Sequence, residues 1–134
     1  MKILFVCVGN TCRSPMAEYF FNFESMKRSE ESEAQSAGVR PHTHIIDESI
    51  ETMDELGIDI RNHRPRQLSL EMIDWADKVI LLDKSIKDDL NNLPSNKKEK
   101  IIVWDIEDPY KTSSCNYRRV RDLLHKKIIE ILNN

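Results

Sequence analysis

Residues 3–15 read ILFVCVGNTCRSP, which is an apolar run followed by a short polar loop and a proline. The unbroken run from Ile3 to Val6 is typical of a strand that is buried on both faces of a parallel sheet. Pro15 is favoured in the first turn of a helix, where its missing N–H costs nothing. Apolar residues then recur at helical spacing, at Met16, Tyr19, Phe20 and Phe23. We therefore predict a strand, a loop and a helix, with the loop at the N-terminus of the helix.

The loop has the features of an anion-binding site. Unpaired amides and the positive end of the helix dipole favour a phosphate at a helix N-terminus. Gly9 can adopt backbone angles that are closed to other residues, so that consecutive N–H groups can turn inward as a cup. The guanidinium of Arg13 offers a planar fork of donors that can hold two phosphate oxygens. The loop is therefore predicted to bind a dianion.

Cys7, at the end of the predicted strand, would lie beneath that cup. Thiols at helix N-termini beside a cation have pKa values lowered from about 8.5 to roughly 3.5–7.5, so they are largely thiolates at neutral pH. A thiolate that faces a bound phosphorus atom is placed for in-line displacement, which forms a phosphocysteine. We expect Cys7 to be the nucleophile of such a reaction.

A phosphoryl transfer of this kind also needs a proton donor for the leaving group. Asp108 is the best candidate, because it follows a strand-like run, residues 101–104, and because Pro109 stiffens the loop that carries it. General acids contribute about a hundred- to ten-thousand-fold to a rate. In a parallel sheet, Asp108 and Cys7 would both emerge at the carboxyl ends of strands, so residues far apart in the chain would meet.

These residues make the chain resemble the low-molecular-weight protein tyrosine phosphatases, whose signature is C-x-G-N-x-C-R-S-P near the N-terminus and D-P-Y near the C-terminus. Here the two motifs are residues 7–15, CVGNTCRSP, and residues 108–110, DPY. The similarity continues through residues 16–18, 36–38 and 63–68, and so covers essentially the whole chain. It implies an enzyme that hydrolyses phosphate esters through a cysteine.

The resemblance implies a role for each matching residue. Cys7 would be the nucleophile, Arg13 would bind phosphate and Asp108 would be the general acid. A polar network that supports the loop would comprise Asn10, Ser14, Ser36 and His63. Such a network is physically sensible, since Asn tolerates a left-handed backbone and a Ser hydroxyl can hydrogen-bond to a thiolate. The bound phosphate or the rest of the substrate would contact Val8, Gly9, Asn10, Thr11, Cys12, Ser14 and Tyr110.

The three cysteines also permit other interpretations. A zinc site needs about four ligands at recognisable spacing, and Cys115 has no paired partner, so we predict neither a metal nor any other cofactor. Cys12 is either a bystander or, as its counterpart does in many members of the family, forms a protective disulfide with Cys7 on oxidation. Cys115 is expected to be structural or exposed.

The identity of the substrate is the weakest part of the resemblance. Members that act on phosphotyrosine usually have a bulky aliphatic residue at the position of Thr11 and often two aromatic residues after Asp-Pro, whereas this chain has Tyr110 and Lys111. Residues 39–44, expected to form another pocket wall, lack the aromatic residue found in many tyrosine-specific relatives. We predict hydrolysis of phosphotyrosine or another aryl phosphate. The alternative is a protein-arginine phosphatase, because Thr at position 11 is a feature of those bacterial enzymes.

Two further functions are less favoured. Thiol-dependent arsenate reductases share the loop, but those with an internal disulfide relay carry two more cysteines after the third strand, and residues 83–93 contain none. A non-catalytic module that binds phosphate would need neither Cys7 nor Asp108. The joint presence of the two side chains argues against such a module.

Composition bounds the remaining possibilities. A length of 134 residues with 40% hydrophobic residues suits one domain, residues 1–134. A formal net charge of −3 gives no overall attraction to nucleic acid or to an anionic membrane. Residues 1–6 are interpreted as a strand rather than a signal peptide, and three cysteines fit a reducing cytosol, so we expect a cytoplasmic protein. We also expect a monomer that self-associates weakly at most, phosphorylated proteins or small aryl phosphates as partners, and inhibition by the product phosphate.

Strand-like and helical segments alternate along the rest of the chain. Further strands are predicted at residues 34–38, 79–82 and 101–104. Helices are predicted over residues 46–56, ending at Gly57, and over residues 70–76, 86–93 and 120–132. This alternation favours a doubly wound α/β fold, a sheet of four parallel strands with helices on both faces and the phosphate-binding loop after the first strand.

Overall fold

The computed structural model describes all 134 residues, and its centre is a sheet of four parallel strands in the order β2-β1-β3-β4. The strands are β1 (Lys2–Cys7), β2 (Glu33–Gly38), β3 (Lys78–Leu81) and β4 (Ile101–Val103). β1 lies in the middle, with Phe5 opposite Ser36 of β2 on one side and opposite Ile80 of β3 on the other. The predicted α/β sheet is confirmed. β1 has a neighbouring strand on each side, as its unbroken apolar run indicates.

Helices connect and cover the strands. They are α1 (Arg13–Lys27), α2 (Asp47–Asp54), α3 (Leu70–Trp75), a 3₁₀ helix (Lys84–Leu90), α4 (Ser95–Lys98) and α5 (Ser114–Leu132). α1 packs against β1, β2 and α5, and α5 also contacts α2. None of the helices is both long enough and apolar enough to cross a membrane.

Alternate residues of β1 contribute to two hydrophobic cores on opposite faces of the sheet. Ile3 and Phe5 belong to a core of 20 buried residues, which α1, α2 and α5 cover. Leu4 and Val6 belong to a smaller core of 9 buried residues beneath α3 and the 3₁₀ helix. The period-2 geometry of a strand therefore supplies both cores from one segment, as expected for a doubly wound fold.

Several predicted element bounds need correction. The helix predicted over residues 86–93 is a 3₁₀ helix over Lys84–Leu90, in which Asp83 caps the first turn by accepting a hydrogen bond from the Ser85 N–H at 3.0 Å. α2 ends at Asp54, so Leu56 is exposed, although Gly57 has the left-handed φ of 74° that ends a helix. α4 was not predicted, because it is a single turn with no buried residue and hence no apolar periodicity.

Candidate active site

Cys7 ends β1, and its sulfur is held from two directions. The backbone N–H of Asn10 donates to Cys7 Sγ at 3.2 Å, and Ser14 Oγ lies 2.8 Å from the same sulfur. The side chain of Cys7 is buried, at 3% exposure, at the floor of the loop. Because hydrogen bonds to a charged sulfur favour its anionic form, this arrangement suits a thiolate.

Asn10 organises the loop. Its φ of 55° is left-handed, a conformation that Asn tolerates better than most residues. Its side-chain amide donates to Ser14 Oγ at 2.8 Å and to Ser36 Oγ at 3.0 Å. Its amide oxygen accepts hydrogen bonds from the Arg66 backbone N–H at 2.8 Å and from His63 at 3.1 Å. Since Ser14 Oγ accepts from Asn10, its own proton can point to the sulfur of Cys7.

The network continues outward through Glu18. Ser36 donates its hydroxyl proton to Glu18 Oε1 at 2.7 Å, and Arg66 Nη2 donates to the same oxygen at 3.1 Å. Burial raises the pKa of Glu18 above its ordinary value, while the Ser36 hydrogen bond and the Arg66 charge oppose that shift. Ser36 therefore has one acceptor and one donor, which fixes the direction of its hydroxyl. Glu18 and Arg66 lie in segments that resemble the family, but the sequence alone predicts no role for either side chain.

His63 is a neutral member of this network. Burial, together with the positive charges of Arg66 and Arg64, lowers the pKa of His63 to about 4. Its Nε2 lies 3.1 Å from the Asn10 amide oxygen, which can only accept, so the neutral ring carries its proton on Nε2. The structure thus brings together all four residues that were predicted to support the loop.

The loop presents unpaired donors. The backbone N–H groups of Val8, Gly9, Thr11, Cys12 and Arg13 make no hydrogen bond within the protein. They lie at the N-terminus of α1, whose dipole adds positive potential. An anion can satisfy these donors.

Arg13 is buried, at 3% exposure, and is anchored by its Nη1 atom. Nη1 donates to the backbone oxygens of Leu82 at 3.1 Å and Ile106 at 2.8 Å, and it lies 3.1 Å from Asp83 Oδ2. Burial acts to raise the pKa of Asp83, but hydrogen bonds from Ser85 and the charge of Arg13 bring it below its ordinary value. Nε and Nη2 of Arg13 remain free to bind an anion, and Nη2 lies 3.7 Å from Asp108 Oδ2.

Asp108 and Tyr110 lie on the loop after β4. The Asp108 side chain is 52% exposed, and its Oδ1 accepts the backbone N–H of Tyr110 at 3.0 Å. Both residues line a cavity of about 150 Å³ whose walls also include Cys7 and Arg13. Asp108 and Cys7 therefore lie close together at the carboxyl edge of the sheet, where they were predicted to meet.

Part of the segment 39–44, which was predicted to form a pocket wall, contributes to this cavity. His42 and His44 line the cavity. Neither was predicted as a site residue, because a single His carries no periodic signal. The His42 ring packs over Gly9, where an added Cβ would lie 2.8 Å from the ring carbon Cδ2. At Gly38, an added Cβ would lie 2.6 Å from the Val8 backbone oxygen. Gly38 is needed for this close approach of two backbone segments, whereas the neighbour of Gly9 is a side chain. Thr11 also lines the cavity.

The remaining cysteines differ from Cys7. Cys12 is buried and lines the cavity, and burial raises its pKa to about 12, against the smaller effect of the Ser49 hydroxyl beside it. Cys12 is thus a neutral thiol at pH 7. Cys115 is exposed on α5, as expected. No group of three or more His, Cys, Asp or Glu side chains comes together in a way that could hold a metal ion.

Comparison with known proteins agrees with this geometry. The profile of the low molecular weight phosphotyrosine protein phosphatases matches residues 2–134. The structure of a low molecular weight protein tyrosine phosphatase from T. tengcongensis is 35% identical, with a TM-score of 0.92 over 99% of this chain and 98% of that one. The YwlE arginine phosphatase from Geobacillus stearothermophilus is 33% identical, with a TM-score of 0.85 over 97% of this chain and 89% of that one.

Some curated relatives are called neither tyrosine nor arginine phosphatase but arsenate reductase. "Arsenate reductase 2" of Staphylococcus saprophyticus is 33% identical over 132 residues, which is 98% of this chain and 96% of the relative. Proteins called tyrosine phosphatase, arginine phosphatase and arsenate reductase thus resemble the chain to a similar degree. The match of the family profile across residues 2–134, together with the fold shared with the tyrosine phosphatase structure, shows that the chain belongs to the low molecular weight phosphotyrosine protein phosphatase family.

Proposed function

We propose that the protein is a phosphatase that hydrolyses phosphotyrosine, or another aryl phosphate, through a phosphocysteine intermediate. The observation that carries this proposal is the position of the Cys7 sulfur. It lies beneath the unpaired N–H groups of the loop, accepts the Asn10 N–H and faces a cavity that Asp108 also lines. Cys7, Arg13 and Asp108 are the proposed catalytic residues.

In the first step, the Cys7 thiolate attacks phosphorus and the bond from phosphorus to the tyrosine oxygen breaks. Asp108 gives its proton to the leaving oxygen, so tyrosine departs as a neutral phenol. The loop N–H groups hold the phosphoryl oxygens, and Nε and Nη2 of Arg13 hold two of them, because Nη1 is already bound to backbone oxygens. The product of this step is a phosphocysteine.

In the second step, water attacks the phosphocysteine. The Asp108 carboxylate takes one proton from that water, the phosphorus–sulfur bond breaks, and phosphate leaves while Cys7 returns to the thiolate. Phosphate occupies the same donors as the substrate, so we propose that it inhibits competitively. Free thiols at Cys7, Cys12 and Cys115 support a reducing compartment, such as the cytosol, as the place of action.

Turnover of para-nitrophenyl phosphate tests the chemistry. The wild-type protein should hydrolyse it, and Cys7→Ser should not. Asp108→Ala should slow an ester with a poor leaving group, such as phenyl phosphate, about a hundredfold or more, yet barely affect para-nitrophenyl phosphate. Equal losses on both esters would remove Asp108 as the general acid, and turnover by Cys7→Ser would remove Cys7 as the nucleophile.

Phosphoarginine is the second candidate substrate, and Thr11 favours it. Thr11 lines the catalytic cavity, where its hydroxyl can position a water or contact the nitrogen of a phosphoramidate. A comparison of kcat/KM on matched phosphotyrosine and phosphoarginine peptides decides between the two. If phosphoarginine is the substrate, Thr11→Ile should lower its kcat/KM and leave that for phosphotyrosine unchanged or raised.

Arsenate reduction receives less support from the cysteines of this chain. A disulfide relay needs two further thiols that react one after the other with the oxidised Cys7. Here Cys12 is a buried neutral thiol, and Cys115 is the only other cysteine. Residues 83–93, where such relays place a cysteine pair, contain none. Consumption of reduced thiols that depends on arsenate would contradict this conclusion, and its absence would support it.

A further inference from the structure

A second cavity shares a wall residue with the catalytic cavity. It lies between residues 43–50 and residues 61–64, and its volume is about 310 Å³. The exposed side chain of His44 lines both cavities, so a ligand in one of them can extend past this residue into the other. We call the second cavity the arginine cleft, and its lining includes His44, Asp47, Ile50, Arg61, His63 and Arg64.

Arg64 offers free hydrogen-bond donors in the arginine cleft. Its Nη1 atom donates to the backbone oxygens of His63 at 3.3 Å and Arg61 at 3.4 Å, while Nε and Nη2 have no partner within the protein. The Nε and Nη2 edge of a guanidinium can hold both oxygens of a carboxylate. Because the pKa of His63 is about 4, its ring adds no positive charge to the cleft at pH 7.

The absence of an ion pair distinguishes Arg64 from most arginines of this chain. All but two of the nine arginines form an ion pair with a carboxylate, and the two exceptions are Arg28 and Arg64. Arg28 is the C-cap of α1, where the helix dipole favours a cation. Arg64 lies in the loop between α2 and α3, so no helix end explains its position.

The other charges of the arginine cleft are offset within the protein. Arg61 Nη1 donates to Asp54 Oδ1 at 2.9 Å and lies 3.2 Å from Asp59 Oδ1. Asp47, the carboxylate in the lining, lies in the first turn of α2, where the helix dipole favours a negative charge. Arg64 therefore carries the charge of the cleft that no group of the protein offsets, and this favours an anionic ligand.

We propose that the arginine cleft binds an acidic side chain of the phosphoprotein substrate, a Glu or Asp close in sequence to the phosphorylated residue. The carboxylate accepts hydrogen bonds from Nε and Nη2 of Arg64, while the phosphorylated side chain lies on the other side of His44, in the catalytic cavity. This inference rests on the proposed phosphatase function and adds a subsite to it. Since the net charge of the chain is −3, any preference for acidic peptides has to come from a local site of this kind.

Phosphopeptides that differ at one position test the inference. Each carries the phosphorylated residue with the higher kcat/KM in an uncharged background, with Glu or Gln placed at one to four positions on either side. We expect one or two adjacent positions at which Glu raises kcat/KM about three- to fivefold over Gln, as for an exposed ion pair. About 0.5 M NaCl should reduce this ratio, because salt screens exposed charges.

Three variants locate the preference, each measured as the ratio of kcat/KM for the Glu and Gln peptides. Changes in rate that are common to both peptides cancel in this ratio. Arg64→Gln should bring the ratio to about one, and Asp47→Asn should raise it, because it removes a negative charge from the same cleft. Arg28→Gln is the matched control, since it removes the other unpaired arginine, at the end of α1 far from the phosphate-binding loop, and it should retain the wild-type ratio.

The wild-type rate on para-nitrophenyl phosphate separates the two proposals. No turnover would overturn the proposed function and the subsite with it. Turnover with equal rates for Glu and Gln peptides at every position, or a preference that Arg64→Gln retains, would overturn the subsite alone. If circular dichroism shows that Arg64→Gln does not fold, Asp47→Asn and the salt dependence decide, and a Glu preference that neither of them changes would also overturn the subsite.

Discussion

The Ser14 hydroxyl has its direction set by Asn10, and this gives a test of how the Cys7 sulfur is held. Ser14→Ala removes the group 2.8 Å from Sγ, and hydrogen bonds to charged groups are worth about 1.5–3 kcal/mol. We expect kcat/KM for para-nitrophenyl phosphate to fall about tenfold or more, with an unchanged circular dichroism spectrum. Ser25→Ala is the control, because the buried Ser25 hydroxyl has no hydrogen-bond partner. Full activity in Ser14→Ala would show that the sulfur does not depend on this contact.

His63 couples stability to pH. Its pKa is about 4 in the folded protein and about 6.5 in an unfolded chain, so the unfolded state binds the extra proton first as the pH falls. The free energy of unfolding should therefore decrease between pH 6.5 and 4, by about 2 kcal/mol after allowance for solvent screening. Urea denaturation across this range measures the loss.

His63→Gln separates this effect from other titrating groups such as Glu18. Glutamine can still donate to the Asn10 amide oxygen, but it does not titrate. We expect the variant to lose less stability than wild type between pH 6.5 and 4. If the free energy of unfolding of both proteins falls equally between pH 6.5 and 4, the pH dependence belongs to other residues.

Among the elements, the end of β2 and the loop after β1 approach so closely that side chains are excluded between them. In Gly38→Ala the new methyl group would meet the Val8 backbone oxygen, which cannot move without shifting the loop. We expect a loss of about 1–3 kcal/mol in stability together with reduced turnover, because the loop holds Cys7. Thermal and urea denaturation measure the loss of stability, and the rate of para-nitrophenyl phosphate hydrolysis measures the loss of turnover.

Gly9→Ala is the matched comparison. Its methyl group meets the side chain of His42, which can rotate away, so we expect less than about 1 kcal/mol of destabilisation. The displaced ring still lines the catalytic cavity, and so KM should change more than stability does. If Gly9→Ala were the more destabilised variant, the His42 wall would be more rigid than this interpretation allows.

The sequence predicts elements well where local rules determine them. Residues 3–15 specify β1, the loop and α1, because the apolar run, the glycine, the proline and the helical spacing all indicate the same elements. The left-handed backbone of Asn10 is consistent with its residue type. The anchors of Arg13 could not be predicted, because the Leu82 and Ile106 backbone oxygens reach it only through the packing of the whole sheet. The 3₁₀ helix has the same apolar pattern as an α-helix over so short a segment, so its type was not distinguishable.

At the scale of the whole molecule, α5 completes the larger core by packing on α1 and α2. Two adjacent leucines of α5 test this arrangement, since Leu124 is fully buried and Leu123 is 40% exposed. We expect Leu124→Ala to lower the free energy of unfolding by about 2–5 kcal/mol. Leu123→Ala should cost about 0.5 kcal/mol. Similar losses in urea denaturation would mean that α5 is rotated from the position described.

The attachment of Arg13 bears on attempts to build such enzymes anew. Its guanidinium is oriented by backbone oxygens of two other segments, at Leu82 and Ile106. A designer who grafted residues 7–14 alone onto another α/β scaffold would transplant the arginine without the groups that aim it. The smallest portable unit is therefore discontinuous, and it includes the segments that follow β3 and β4.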